Sequence, residues 1–200
     1  MGRLTHRTSP GSTYFVTTKS WQNTAAFQVL EVANIAIDKL LEYRGKGNYL
    51  LHEFVVMPNH LHLILTPTNS ISLEKAIQLI KGGTSYEIHR VRGKKMQIWQ
   101  SGFHESRIRD ANDYRSKSDY IRLNPVAAKL VERPQDWSFG SASGKYPLDP
   151  IPQGLKPSIS YPLDVGAKAP TPKTRNCHKG ADLQAVEPEA SEVVTNQCPT

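Results

Sequence analysis

Cysteine is nearly absent. Cys177 and Cys198 are the only two among 200 residues, and both lie in the last quarter, which excludes a disulfide framework and a cysteine metal centre. Long apolar runs are missing too: no stretch of eighteen apolar residues occurs, so no membrane-spanning helix is expected. The opening MGRLTHRTSPGSTYF lacks the apolar core of a secretory leader, and a cytoplasmic protein is the expectation. Acidic residues are in deficit, 18 Asp and Glu against 25 Lys and Arg for a net charge of +7. That balance favours polyanionic partners.

The deficit is local. Residues 147–200 hold five basic and six acidic side chains, a net −1, which leaves +8 on residues 1–146. The same stretch contains nine of the fourteen prolines. It has too little apolar surface to offset the entropy of ordering it. Two regions are therefore expected: a folded domain over 1–146 and a Pro-rich, disordered tail over 147–200, with at most a short docked segment around Ile159 to Leu163.

Within the folded region the periodicity alternates between strand and helix. TYFVTT (13–18) has strand composition, and TAAFQVLEVANIAIDKLLEYRG sets Phe27, Leu30, Ile37, Leu40 and Leu41 at helical spacing. Two strands follow, NYLLHEFVVM and HLHLILTP, joined by the turn Met57-Pro58-Asn59. Ser72 is the expected N-cap of a second helix with Leu73, Ile77 and Ile80 as its apolar stripe, interrupted near Gly82-Gly83. QIWQSGFHESRI reads as a fourth strand and ANDYRSKSDYIRLN as a third helix that ends before Pro125, with PVAAKLVER open to continue as a further turn or short helix. The order β-α-β-β-α-β-α predicts an α+β fold, a ferredoxin-like split βαβ antiparallel sheet with helices on one face and an additional C-terminal helix. Such a fold decides nothing about activity.

The residues that ask for a function are in VVMPNHLHLILTP (55–67). Strand alternation puts His60, His62 and Ile64 on one face and Leu61, Leu63 and Leu65 on the other. Seven histidines in 200 residues would produce such a pair by chance in about one sequence in four. Its setting beside a turn, on a strand greasy on its other face, makes it either a solvated pair or a rigid pair of metal ligands. Tyr120 and Asn124, four apart on the third helix, share a face. Asn124 can offer an amide oxygen to a metal with the Tyr120 hydroxyl beside it, or Tyr120 can pack with Ile121 and Leu123 while Asn124 caps the helix.

Four segments, SPGSTYFVTTKSW, MPNHLHLIL, WQSGFHESRIRD and YIRLNPVAAKLVERPQDW, together resemble the REP-associated tyrosine transposases, a branch of the single-tyrosine HUH transposases of bacterial insertion sequences. The resemblance covers about residues 7–146. It implies a ferredoxin-like fold and a metal-dependent enzyme that nicks and rejoins single-stranded DNA, at hairpin-forming repeats. By it, His60-Leu61-His62 matches the motif that binds the catalytic divalent ion, Mg²⁺ or Mn²⁺. Tyr120 matches the nucleophile that becomes joined to a 5′ phosphate, and Asn124 the third, polar metal ligand. Relatives differ in whether one chain or two build each active site, so monomer and homodimer both stay open.

For DNA contacts the candidates are Arg90, Arg92, Lys94, Lys95, Arg107 and Arg109, clustered cations of the kind that bind phosphates by counterion release. Trp99, between them, is expected in the core. His104 and Glu105 alternate, so only one can face the site; His104 stands as a site neighbour or as surface. His52 and His89 are expected to be solvated, and Asp110 and Asp113 to favour the N-terminus of the third helix.

Overall fold

Alternation along one strand organises the molecule into layers. The computed structural model describes residues 9, 11–152 and 155. Its main elements are β1 (Tyr14–Lys19), α1 (Leu30–Gly45), β2 (Tyr49–Met57), β3 (His60–Pro67), α2 (Leu73–Arg92), β4 (His104–Arg107) and α3 (Ala111–Ala127). The sheet order is β2-β3-β1-β4, with every neighbouring pair antiparallel. β3 is inserted between the two strands that α1 connects, which is the expected ferredoxin-like arrangement.

Leu61, Leu63 and Leu65 point with Val16, Leu51 and Phe54 into a core closed by Leu40 of α1 and Ile77 and Ile80 of α2. Burying a leucine there is worth about 1.5–3 kcal/mol. Ile64, Val55 and Met57 point the other way and meet Tyr114 and Ile121 of α3. The third helix thus covers the face that α1 and α2 leave open.

A register shift in β2 between Leu51 and Glu53 changes the phase of that strand. Leu51 and Phe54 both face α1 and α2, while the ring of His52 meets Tyr114 and Glu53 hydrogen-bonds Ser118 of α3. The bulge thereby delivers two consecutive polar residues to the α3 side.

Several local expectations need correction. The first helix starts at Leu30, not near Thr24, because the Phe27 N–H donates to Pro58 O (2.9 Å) and pins residues 26–28 as a 3-10 turn against the β2–β3 turn. α2 runs unbroken through Gly82 and Gly83. Gly83 is there for proximity, since a Cβ would lie 2.6 Å from Tyr43 Oη of α1. The fourth strand shrinks to four residues because Gly102 takes φ +72° and breaks the extended run. Residues 98–100 still hydrogen-bond past the end of β1, and Trp99 is buried against Phe27 as expected. α3 continues through Pro125; in the last turn a proline removes a single donor, and Asn124 O still accepts from Ala128 N–H.

His52 is buried at 2 % exposure instead of solvated. Its Nδ1–H donates to Pro150 O (2.7 Å) and its Nε2 accepts from Thr66 Oγ1 (2.9 Å). Burial holds it below the usual imidazole range. Packing also passes the boundary expected at residue 146. Leu148 joins the core. Asp149 takes a two-pronged ion pair from Arg44 (2.8 Å each) and exchanges hydrogen bonds with the backbone of Leu51. With the Val55–Gly140 bridge, residues 139–150 lie along the outer edge of β2. The disorder expected of the tail and the docking expected near Ile159 concern residues 156–200, which lie outside the described residues, as do both cysteines. Among the described residues no helix is long and apolar enough to cross a membrane.

Candidate active site

On the α3 face, β3 presents its two imidazoles side by side, with ring centroids 4.6 Å apart. His60 stands just after the Pro58-Asn59 turn, and that turn orients it: Asn59 Oδ1 accepts from His60 Nδ1–H (2.7 Å) while Asn59 Nδ2 donates to Asn23 Oδ1. The proton is then on Nδ1, leaving the lone pair on Nε2. His62 is 3 % exposed. Its Nδ1 is hydrogen-bonded to Thr17 Oγ1 (2.8 Å) on the neighbouring β1, and its Nε2 is buried with no hydrogen-bond partner. Burial pushes His62 down to about 3, helped by the charges of His60 and Lys19. His60 is also lowered by burial, against the opposing effect of a side-chain hydrogen bond with Asn124. Both rings are therefore neutral near pH 7, the form that binds metals.

α3 brings the other two candidates to this pair. Tyr120 lies edge-on to His62, ring centroids 5.2 Å apart, and edge-on to Phe15, which is itself stacked on His62 at 5.4 Å. It keeps 51 % of its surface exposed, so a substrate can reach its hydroxyl. Asn124 lies near enough to His60 for its side chain to favour the charged imidazole. It is not the last helical residue, so the reading of Asn124 as a helix cap before Pro125 does not hold.

The rotation of α3 is set by its inner face. Ile121 and Tyr114 are buried, and Ser118 (2.9 Å) and Arg122 both hydrogen-bond the Glu53 carboxylate, which is 2 % exposed. Ser141 closes the remaining oxygen of Glu53 at 2.5 Å. The helix begins with Asp110 accepting from Asp113 N–H (2.8 Å), a cap of the expected kind.

His60, His62, Tyr120 and His104 line one cavity of about 450 Å³ together with Thr17 and Lys19 of β1. The alternation of β4 does put His104 on this side. Among the described residues no three of His, Cys, Asp and Glu converge as a metal cage. The groups available to hold an ion are two neutral imidazoles and an amide. One imidazole nitrogen is buried and orphaned, which would cost about 1–3 kcal/mol without a ligand. That donor set fits a divalent ion with positions left over for water or substrate. Its outer hydrogen bonds, from Thr17 and Asn59, are those that orient metal-binding imidazoles.

The basic candidates are elsewhere. Arg90, Arg92, Lys94 and Lys95 are exposed at and beyond the C-terminal end of α2, where Arg90 pairs with Glu87. Arg107 and Arg109 are exposed at the end of β4, with Arg109 reaching Asp113 at 3.6 Å. His89 Nε2–H donates to Met96 O (2.6 Å), so it is less solvated than expected. A larger cavity, about 840 Å³, lies between α2 and residues 95–103 and includes neither imidazole of β3. Sequence reasoning missed Phe15, Thr17 and Lys19; their alternation in YFVTTK was visible, but not the register that sets Thr17 opposite His62 and Lys19 opposite His60.

The sheet thus bears paired imidazoles, with a tyrosine brought beside them by the third helix. Residues 18–124 match the family described as "Transposase IS200 like", and the chain belongs to that family. It is 31% identical over 150 residues to the REP-associated tyrosine transposase of Escherichia coli K12, covering 70% of this chain and 84% of that protein. It is also 31% identical over 122 residues to a REP-associated tyrosine transposase of Haemophilus influenzae, covering 55% of this chain and 69% of that one. A solved structure of a REP-associated tyrosine transposase bound to a REP hairpin superposes with TM-score 0.59 at 26% identity, covering 76% of this chain and 92% of the other.

Proposed function

We propose that this protein is a transposase that nicks and rejoins single-stranded DNA at hairpin-forming repeats through a covalent tyrosine intermediate. Support comes first from one observation, the approach of the Tyr120 ring to 5.2 Å from His62. Family membership adds to it, and the hairpin bound by the solved relative suggests the form of the DNA.

Tyr120 is the nucleophile. Its oxygen bonds to phosphorus as the bond from phosphorus to the 3′ oxygen breaks; the phenol proton goes to solvent and the 3′ oxygen gains one. The products are a 5′-phosphotyrosine and a free 3′ hydroxyl, and attack by a 3′ hydroxyl on that linkage rejoins strands without a nucleotide cofactor. His60, His62 and Asn124 would hold Mg²⁺ or Mn²⁺. Such an ion supplies charge neutralisation at the phosphate and orientation of the leaving oxygen, and imidazole favours manganese. Phe15 and the helix anchor at Glu53 keep the phenol over the imidazoles. Arg90, Arg92, Lys94, Lys95, Arg107 and Arg109 grip the DNA backbone outside the cavity, so affinity should fall steeply with salt.

The test is incubation with Mn²⁺ and single-stranded DNA taken from both flanks of the gene, followed by denaturing electrophoresis. A covalent adduct is expected from the wild type and none from Tyr120→Phe. An adduct that persists in Tyr120→Phe removes this tyrosine from the role.

A further inference from the structure

We propose that Lys19 and His104 form the seat of the scissile phosphate, on the β1–β4 side of the paired imidazoles. The inference rests on the reading of this cavity as a phosphodiester-cleaving centre and assigns two residues that reading does not use.

The sheet register carries the argument. On β1, Phe15, Thr17 and Lys19 alternate onto the α3 face, and Lys19 pairs with His60 while Thr17 pairs with His62 on one side and with His104 on the other. His62, Thr17 and His104 thus form one row across three strands, and Lys19 extends the next row beside His60. Directly opposite residues sit with Cβ atoms about 4.5–5.5 Å apart and diagonal ones about 7–8 Å apart. A lysine ammonium on a flexible stem and an imidazole at that diagonal spacing can both reach one small group lying over Thr17. Thr17, Lys19, His60, His62, His104 and Tyr120 line the same cavity.

The side chains of Lys19 and His104 make no hydrogen bond or ion pair among the described residues, unlike those of Lys39 and Lys46, which pair with Glu42, and of Lys81, which donates to two carbonyls. An ammonium with no carboxylate partner among the described residues, beside a pair of neutral imidazoles, leaves a positive charge in the cavity uncompensated. An anion beside Lys19 supplies the missing counter-charge, and a phosphodiester has one negative charge and two non-bridging oxygens to share. Negative charge on those oxygens has to be held while the Tyr120 oxygen bonds to phosphorus and the 3′ oxygen leaves. The Lys19 ammonium and an imidazole N–H of His104 are donors placed for that purpose. Both are exposed, so replacing them removes donors without opening the core.

The test uses the full chain, Mn²⁺ and single-stranded DNA from the gene's flanks, with the initial rate of Tyr120 adduct formation and the Kd of the same oligonucleotide read in parallel. Lys19→Met and His104→Gln are each expected to slow adduct formation at least about tenfold with Kd within about threefold at fixed salt. Lys19→Arg should recover most of the rate, and Lys75→Met, the same charge change on the exposed first turn of α2, should leave it unchanged. A phosphorothioate at the cleaved position should slow the wild type more than it slows Lys19→Met, because the variant has already lost the contact that sulfur weakens. Rates of Lys19→Met and His104→Gln within twofold of wild type would overturn the inference and leave the nuclease reading standing. Slower rates with an undiminished sulfur effect in both variants would overturn it too, by showing that the phosphate is not their target. No adduct from the wild type on either flank would instead overturn the nuclease reading, and this inference with it.

Discussion

The two faces of the sheet are built from the same strands and obey different rules. Toward α1 and α2, β3 points Leu61, Leu63 and Leu65, and the layer is closed by apolar side chains. Toward α3 the same strand presents His60, His62 and Ile64, and its neighbours add Thr17, Lys19, His52 and Glu53. One face supplies stability through apolar burial. The other holds polar groups that gain little or lose stability by being there, including an imidazole nitrogen without a partner. The difference teaches that rigidity and chemistry are separated by the thickness of a strand, so the first can support the second without sharing its residues.

That division can be broken from either side. The largest expected effect comes from the apolar face: Leu63→Ala, at a fully buried position, should lower unfolding free energy by about 2–5 kcal/mol, measured by urea denaturation. Glu53→Ala comes next. It strips Ser118, Arg122 and Ser141 of their common acceptor and should cost about 3 kcal/mol, with adduct formation falling further than the stability loss explains because α3 is no longer held in rotation. Glu53→Gln, which keeps one acceptor oxygen, should cost less on both counts.

Acid should act through the histidines of the polar face. His62 is pushed down to about 3, and His60 and His52 are also lowered, in each case chiefly by burial. The unfolded chain therefore binds more protons than the folded one as pH falls below about 6.5. The stability due to these neutral rings is complete above that value and is lost progressively toward the folded pKa values, by a few kcal/mol in total. Urea midpoints in chelator between pH 7 and pH 4 will show the fall. His62→Leu should flatten part of that slope and, by removing the orphaned nitrogen, raise metal-free stability by about 1 kcal/mol, while abolishing adduct formation. The smallest effect on stability belongs to Tyr120→Phe: the half-exposed hydroxyl should be worth under about 0.5 kcal/mol, even though the adduct disappears completely. A large loss of stability in Tyr120→Phe would erase the distinction between the two faces.

Much of this layout was legible in the sequence because it depends on short periods. The two-residue repeat of HLHLIL separated imidazoles from leucines, and the four-residue step from Tyr120 to Asn124 placed them on one helix face. What was not legible depends on long-range registration. Nothing in YFVTTK announces which residue will lie opposite His62, so Thr17 and Lys19 could not be assigned. The bulge that buries His52 and Glu53 has no local signature, and a sequence window cannot show that Tyr114 and Ser118 will arrive to receive them. Gly82-Gly83 and Pro125 misled for the opposite reason. Their ordinary helix-breaking tendencies were overridden, the first by the Tyr43 ring packed against it and the second by its place in a final turn. The end of the domain was misjudged on composition, since one aspartate bound to Arg44 and Leu51 outweighs the prolines around it.

The way residues 139–150 run beside β2 bears on life at high concentration. An unpaired outermost strand invites a second polypeptide to add to it and seed fibrils. Here that flank is already occupied by the chain's own backbone, through Val56 N–H to Phe139 O and Asp149 N–H to Leu51 O. At the opposite border β4 offers only four residues, ending in Arg107, too short and too charged to template an intruder. A construction sealed on one border and blunted on the other lets a nucleic-acid enzyme stay dispersed while it searches, and removing residues beyond 138 should reveal itself as clumping before any loss of helix is seen.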